Sequence, residues 1–142
     1  MRRRHDQRGA VSTELAVITP LLIGFMLLVV FAGRVAQTEG DVAQAAHEGA
    51  RAASLRATPE AATAAATEVA SANIAEGEVG CRLLEVAVDT ADFTAGGVVA
   101  VTVSCQADFA DIAMLAVPGT RTFEATAIEV IDTYRAEPRS LP

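Results

Sequence analysis

The feature that most constrains this chain is an uncharged apolar run of 18 residues, from Leu15 to Ala32. As an α-helix that rises about 1.5 Å per residue, the run would be roughly 27 Å long, close to the hydrocarbon thickness of a bilayer. It is longer than the apolar core of a typical secretory signal peptide, which has about 7–15 residues. The run therefore predicts a retained membrane helix over residues 10–33. Pro20 should kink this helix or loosen one of its turns.

Charge is distributed unequally on the two sides of this run. Residues 1–9, a short basic leader, contain four arginines and one aspartate, whereas residues 35–142 contain six arginines and 16 acidic residues. Because basic segments stay in the cytoplasm, this asymmetry predicts a single-pass cell-membrane protein with a cytoplasmic N-terminus and an extracytoplasmic C-terminal part. The expected partner of the apolar run is the lipid bilayer. No nucleic acid is expected, since phosphate contacts need Lys or Arg.

Two helices are predicted after the membrane segment. Small or apolar residues recur on one helical face between Val35 and Leu55, and they favour packing on this protein's own sheet. The alternative is that this narrow face lets another backbone approach closely. Thr58 and Pro59 suit the N-cap and first position of a second helix over about residues 61–75, antiparallel to the first. The residues of the narrow face are Val35, Val42, Ala46, Gly49 and Ala53.

Strands are predicted in the second half of the chain. Alternating apolar residues predict a hairpin of Leu83–Asp89 and Val98–Cys105, joined by a loop that contains Gly96 and Gly97. A third strand is predicted over Arg121–Ile131, with its apolar phase slipping after Ala127 so that Ile128 and Val130 face the core. A short helical connection is expected over residues 107–116.

The predicted class is α+β, with a long N-terminal helix and a second helix packed on a short antiparallel sheet of about three strands. The expected organisation is a leader (1–9), a transmembrane helix (10–33), extracytoplasmic helices (34–76), a small sheet domain (77–134) and a loose C-terminal tail (135–142).

Cys81 and Cys105 both lie in the part predicted to be exported. In an oxidising compartment such a pair is expected to form a disulfide, and two buried free thiols are the alternative. If the two cysteines lay directly opposite each other in the ladder, the apolar residues of the two strands would lie on opposite faces of the sheet. Cys81 is therefore expected in an irregular lead-in after Gly80, or beside a bulge. No metal site is expected, because the cysteine spacing is not CxxC and the chain has two histidines.

Glu14 places a carboxylate at the edge of the apolar run, where a charge carried to the bilayer centre would cost about 2–3 kcal/mol. One interpretation is an acid near a helix N-terminus, stabilised by the helix dipole. The other begins at Gly9. A cut after Gly9 would make Ala10 a new amino terminus, and Glu14, as the fifth residue, could neutralise the amino terminus of a neighbouring subunit.

The string RGAVSTELAVITP, from Arg8 to Pro20, resembles the TadE-like (TadE/TadG) pilus-assembly family. That family follows the type IV prepilin pattern of a basic leader, a glycine, a glutamate five residues later and an apolar helix. Its second motif, a small-residue helix with an REGARAA-like ending, corresponds here to AHEGARAA, with Ala46, Glu48, Gly49 and Arg51. Leu15 stands where the family often has an aromatic or other bulky residue, and His47 stands where it often has Arg or another polar residue.

The resemblance implies a pilin-like lollipop fold and a pseudopilin or minor pilin of a Tad-type pilus or secretion assembly. It implies processing between Gly9 and Ala10 by a prepilin peptidase, with Glu14 and Pro20 at the helix-pairing surface. The implied partners are that peptidase, other pilin-like subunits and Tad membrane platform proteins.

No enzyme activity and no cofactor are expected, because the sequence has no P-loop, GxSxG or HExxH motif and no evident nucleophile and base. One alternative function is an uncleaved, single-pass envelope protein whose exported domain binds a partner. Another is a soluble domain released near Ala32.

Overall fold

The computed structural model describes residues 8–77, 80–108 and 119–134, with the backbone alone over residues 8–14. The elements are α1 (Arg8–Ser54), α2 (Pro59–Glu76), β1 (Leu83–Asp89), β2 (Val98–Asp108) and β3 (Thr120–Val130). Two helices and one three-stranded antiparallel sheet confirm the predicted α+β class. The expected loose tail, most of the leader and residues 109–116 of the expected helical connection lie outside the described residues.

The chain divides into two compact units, Met1–Gly33 and Arg34–Pro142. The first unit contains the apolar part of α1, where the large hydrophobic side chains from Leu15 to Val30 are 42–72% exposed. An apolar helix with so little protein around it is suited to lipid rather than to water. Helix α1 is long and apolar enough to cross a membrane, and the predicted continuation of the helix beyond the apolar run is confirmed.

In the second unit, α1 buries a wider face than the sequence predicts. The buried residues of this part are Thr38, Val42, Ala45, Ala46, Gly49, Ala50 and Ala53. The predicted stripe omitted Thr38, Ala45 and Ala50, and its first member, Val35, is only half-buried. The face is wide because it packs against both α2 and the sheet. At Gly49, for example, it lies against Ala66 of α2 and Val101 of β2.

Helix α2 begins and runs as predicted. Thr58 is its N-cap, and the Thr58 hydroxyl oxygen accepts a hydrogen bond from the Ala61 N–H at 3.2 Å. Four alanines and Ile74 form its buried face, so α2 can approach its neighbours closely. Its antiparallel course along α1 is also confirmed, because Gly49 lies against Ala66 whereas Gly77, at the far end of α2, lies against Asp41.

The sheet has the order β1-β2-β3, with β2 in the centre. The hairpin register pairs Val86 with Val103 and Val88 with Val101, so the apolar residues of both strands share one inner face. The inner residues of β2 are completely or almost completely buried: Val99, Val101, Val103, Cys105 and Ala107. Strand β1 has the predicted bounds, whereas β2 extends three residues beyond the predicted end at Cys105 and includes the start of the expected helical connection.

The prediction of a phase slip in β3 was wrong. Phe123 and Ala127 are buried, and the alternation continues without interruption to Ile131. Ile128 and Val130 therefore lie on the outer face, where they are 63% and 67% exposed. Continuous pairing with β2 holds the register over the whole strand, and a slip would have broken this ladder.

Cys81 and Cys105 form a disulfide, with their Cα atoms 5.3 Å apart. Cys105 lies opposite Leu84 in the ladder, and Cys81 precedes β1 in an irregular segment. The irregular lead-in is thus the correct one of the two predicted solutions. The disulfide covalently links the segment between α2 and β1 to the central strand of the sheet.

Candidate assembly site on the first helix

Gly9, Ala10, Glu14 and Pro20 all lie on α1. The Gly9–Ala10 peptide bond falls in the first described turn of the helix. Ala10 and Glu14 are separated by four residues, the spacing that puts two positions on the same helix face.

Pro20 lies inside α1 without ending it. Proline has no N–H, so the carbonyl of Ala16, four residues earlier, lacks its intrahelical donor. Next to this point the Thr19 hydroxyl donates to the Leu15 carbonyl at 2.7 Å. Serine and threonine hydroxyls satisfy helix carbonyls in this way where no water is available.

The four residues of the second motif differ in burial. Ala46 and Gly49 are buried, whereas Glu48 and Arg51 are exposed. A Cβ atom added at Gly49 would lie 3.3 Å from the Ala66 carbonyl oxygen and 3.3 Å from Val101 Cγ1. The glycine is therefore explained by the close approach of α2 and β2 to α1. The face packs on this protein's own sheet, as the favoured interpretation has it, and it also lets the backbone of α2 approach closely.

One contact between α1 and the sheet was missed by sequence reasoning. The Arg121 guanidinium forms an ion pair with Glu39 at 3.1 Å and lies 5.0 Å from the centre of the Phe123 ring. Both charged side chains are about half exposed, and such pairs contribute less than about 1 kcal/mol. The two residues are 82 positions apart in the chain, and no local pattern signals a contact of that kind.

Among the side chains that the structure describes, no set of three or more His, Cys, Asp or Glu residues is arranged to hold a metal ion. His47, one of the two histidines, is exposed on α1 next to Glu48.

Residues 9–51 match the family described as TadE-like protein. No curated protein and no solved structure matches the chain. The matched stretch begins at Gly9, contains the whole apolar run and ends at Arg51 of the second motif, so it lies entirely on α1.

The match confirms the resemblance seen in the sequence. Together with the apolar helix, it indicates a protein anchored in a membrane. Over residues 9–51, the chain is similar to the TadE-like family.

Proposed function

We propose that the chain is a pseudopilin or minor pilin, a non-catalytic component of a Tad-type pilus or secretion assembly. The observation that carries the proposal is that the TadE-like match coincides with α1 from Gly9 to Arg51. One uninterrupted helix thereby combines a lipid-suited segment with a segment that packs on its own sheet. In this proposal the first segment joins the assembly and the second carries the exported unit.

The proposed orientation places the N-terminus in the cytoplasm and the unit Arg34–Pro142 outside. The four arginines of residues 1–9 support it, because basic residues near a membrane helix stay on the cytoplasmic side. The disulfide between Cys81 and Cys105 supports it too, since disulfides persist in oxidising compartments.

The proposed processing step is a cut by a prepilin peptidase after Gly9. The reaction hydrolyses the Gly9–Ala10 peptide bond and leaves Ala10 with a free amino group. At the membrane surface this new positive charge would attract the Glu14 carboxylate of a neighbouring subunit, which offsets the cost of placing an acid beside an apolar run. The proposed partners are therefore the peptidase, other pilin-like subunits and the Tad membrane platform proteins.

Gly9→Val tests the processing step. A branched side chain next to the scissile bond should block peptidase cleavage, so we expect the unprocessed form to accumulate and assembly to be lost. The mass of the membrane-extracted protein measures this. Gly24→Val is the matched control, because it adds the same side chain to the same helix at a position with open space around it.

Cleavage of Gly9→Val at the wild-type position would contradict the proposal, as would wild-type and variant chains that are both uncleaved. The second outcome would instead favour a permanently uncleaved membrane anchor whose exported domain binds a partner.

Glu14→Ala tests charge pairing. We expect membrane insertion and cleavage to continue, and co-purification with other pilin-like subunits to fall about tenfold, which corresponds to about 1.4 kcal/mol. Glu39→Ala provides a control on the same helix, because that carboxylate contacts Arg121 in the exported unit. Equal recovery of the partner subunits with wild-type chain and Glu14→Ala would exclude the pairing role.

A further inference from the structure

The outer face of the sheet is left uncovered by the helices. Helix α1 packs on the inner face at Val101, and the inner residues of β2 are at most 1% exposed. The outer residues of β2 remain half-buried even though β2 is the central strand. A sheet with one covered and one open face is normal for antiparallel strands, provided the open face is polar.

One end of this outer face is apolar instead. Val98 pairs with Val130, and Ala100 pairs with Ile128, so four apolar side chains form two adjacent rows. Val98 is 39% exposed, and Ile128 and Val130 are each more than 60% exposed. We call these four residues the outer patch. Clustered exposed apolar residues of this kind mark interaction surfaces more often than single ones do.

The outer patch lies at the end of the sheet that is farther from Arg34, where this unit begins. Arg121, near the start of β3, contacts Glu39, whereas Val101, close to the other end of β2, contacts Gly49. The strand end that carries Val130 therefore points away from Arg34, the first residue of this unit.

One carboxylate borders the outer patch, and two more lie further along the same face. Asp89 lies directly opposite Ala100, on the side away from Ile128. Further along the face, Glu85 and Glu124 flank Ser104 from the two sides. The hydroxyls of Thr102 and Thr126, hydrogen-bonded at 2.8 Å, separate this acidic row from the patch.

The two arginines that the structure describes in or directly before the sheet strands form ion pairs away from the outer patch. Arg82 pairs with Asp108 at 3.5 Å, at the opposite end of the face, and Arg121 pairs with Glu39 at 3.1 Å. Asp89, Glu85 and Glu124 therefore lie on the face of the outer patch, and none of the three forms an ion pair with a described residue. Asp89 and Glu85 are four residues apart on β1, or about 13 Å.

We propose that the outer patch and its acidic border form a docking surface for another protein, whose contact surface combines apolar side chains with Arg or Lys. The apolar groups would cover Ile128 and Val130, and the cations would pair with Asp89, Glu85 and Glu124. Charge complementarity selects this partner, because juxtaposed like charges are unfavourable. A second copy would oppose acid to acid, and an anionic lipid surface would repel the same border.

Site-specific photocrosslinking in the envelope of the native host tests the proposal on the full chain. The probe is p-benzoylphenylalanine in place of Ile128, and the control position is Ala64, which is exposed on α2. We expect one protein adduct at Ile128 that is absent at Ala64, with Arg or Lys in the crosslinked peptide. Asp89→Lys should lower the adduct yield roughly tenfold. The matched charge reversal Glu68→Lys, on an exposed position of α2, should leave it unchanged.

Several results would overturn the proposal: an adduct with a second copy, with lipid or with another segment of the same chain; an adduct that survives Asp89→Lys; or no adduct at Ile128. The proposal does not rest on cleavage after Gly9. Failure of the processing test would therefore leave the docking surface in place.

Discussion

Removal of the disulfide by Cys81→Ser together with Cys105→Ala is expected to lower the free energy of unfolding of the unit Arg34–Pro142 by about 3 kcal/mol. The bond closes a loop with a sequence separation of 24 residues, and a loop of that length restricts the unfolded chain. Alanine is chosen for Cys105 because that side chain is 1% exposed, and a serine hydroxyl would be buried there without a designed partner. Cys81 is only half-buried and tolerates serine.

Urea unfolding of the full chain in detergent, followed by circular dichroism, measures the loss. A reductant should destabilise the wild-type protein by a similar amount and leave the double variant unchanged, which makes the reductant an internal control. Equal stability of the wild-type protein with and without reductant would show that the bond contributes little to the fold.

Gly49→Val is expected to destabilise the unit Arg34–Pro142 by about 2–3 kcal/mol. The added Cβ would lie 3.3 Å from the Ala66 carbonyl oxygen and from Val101 Cγ1, and the remaining methyl groups would need still more room. Because Ala66 presents backbone at this point, α2 itself would have to move. The displacement would open the interface among α1, α2 and β2, on which the stability of this unit depends.

Gly40→Val is the matched control for this substitution. It lies on the same helix, is exposed and has nothing within 4 Å of an added Cβ. Valine also has a better helix propensity than glycine, so this variant should be as stable as the wild-type protein or slightly more stable. The midpoints of urea unfolding of both variants provide the comparison. Equal midpoints would contradict the close packing at Gly49.

Local patterns were sufficient to predict most elements. Thr58 and Pro59 predicted the start of α2 because capping depends on adjacent residues alone. The alternation from Leu83 to Asp89 predicted β1 to the residue because one face of that strand packs inward. The apolar run of α1 was evident for the same reason, since lipid requires every side of a helix to be apolar.

Features set by distant residues were harder to predict. The apparent phase slip in β3 came from treating Ile128 and Val130 as core residues, whereas pairing with β2 keeps both on the outer face. The extra buried alanines of α1, Ala45 and Ala50, depend on where α2 crosses, and the helix's own period does not encode that position. The ion pair between Glu39 and Arg121 depends on the assembled fold in the same way.

The residues of the candidate site also differ in how far the sequence alone could explain them. Gly9, Glu14 and Pro20 were found from their spacing, and the TadE-like match covers the same stretch. The small residues of the second motif were also found, but the reason for Gly49 became clear only from its contacts with α2 and β2. The proposed partners of Glu14 belong to other subunits, so neither the sequence nor the fold of this chain contains them.

Mass spectrometry of the intact wild-type protein extracted from membranes decides most directly whether this chain is processed as a pilin-type subunit. We expect the mass of a chain that lacks residues 1–9, with Ala10 as the amino-terminal residue on sequencing. A membrane-extracted protein that still begins at Met1 or Arg2 would contradict cleavage after Gly9.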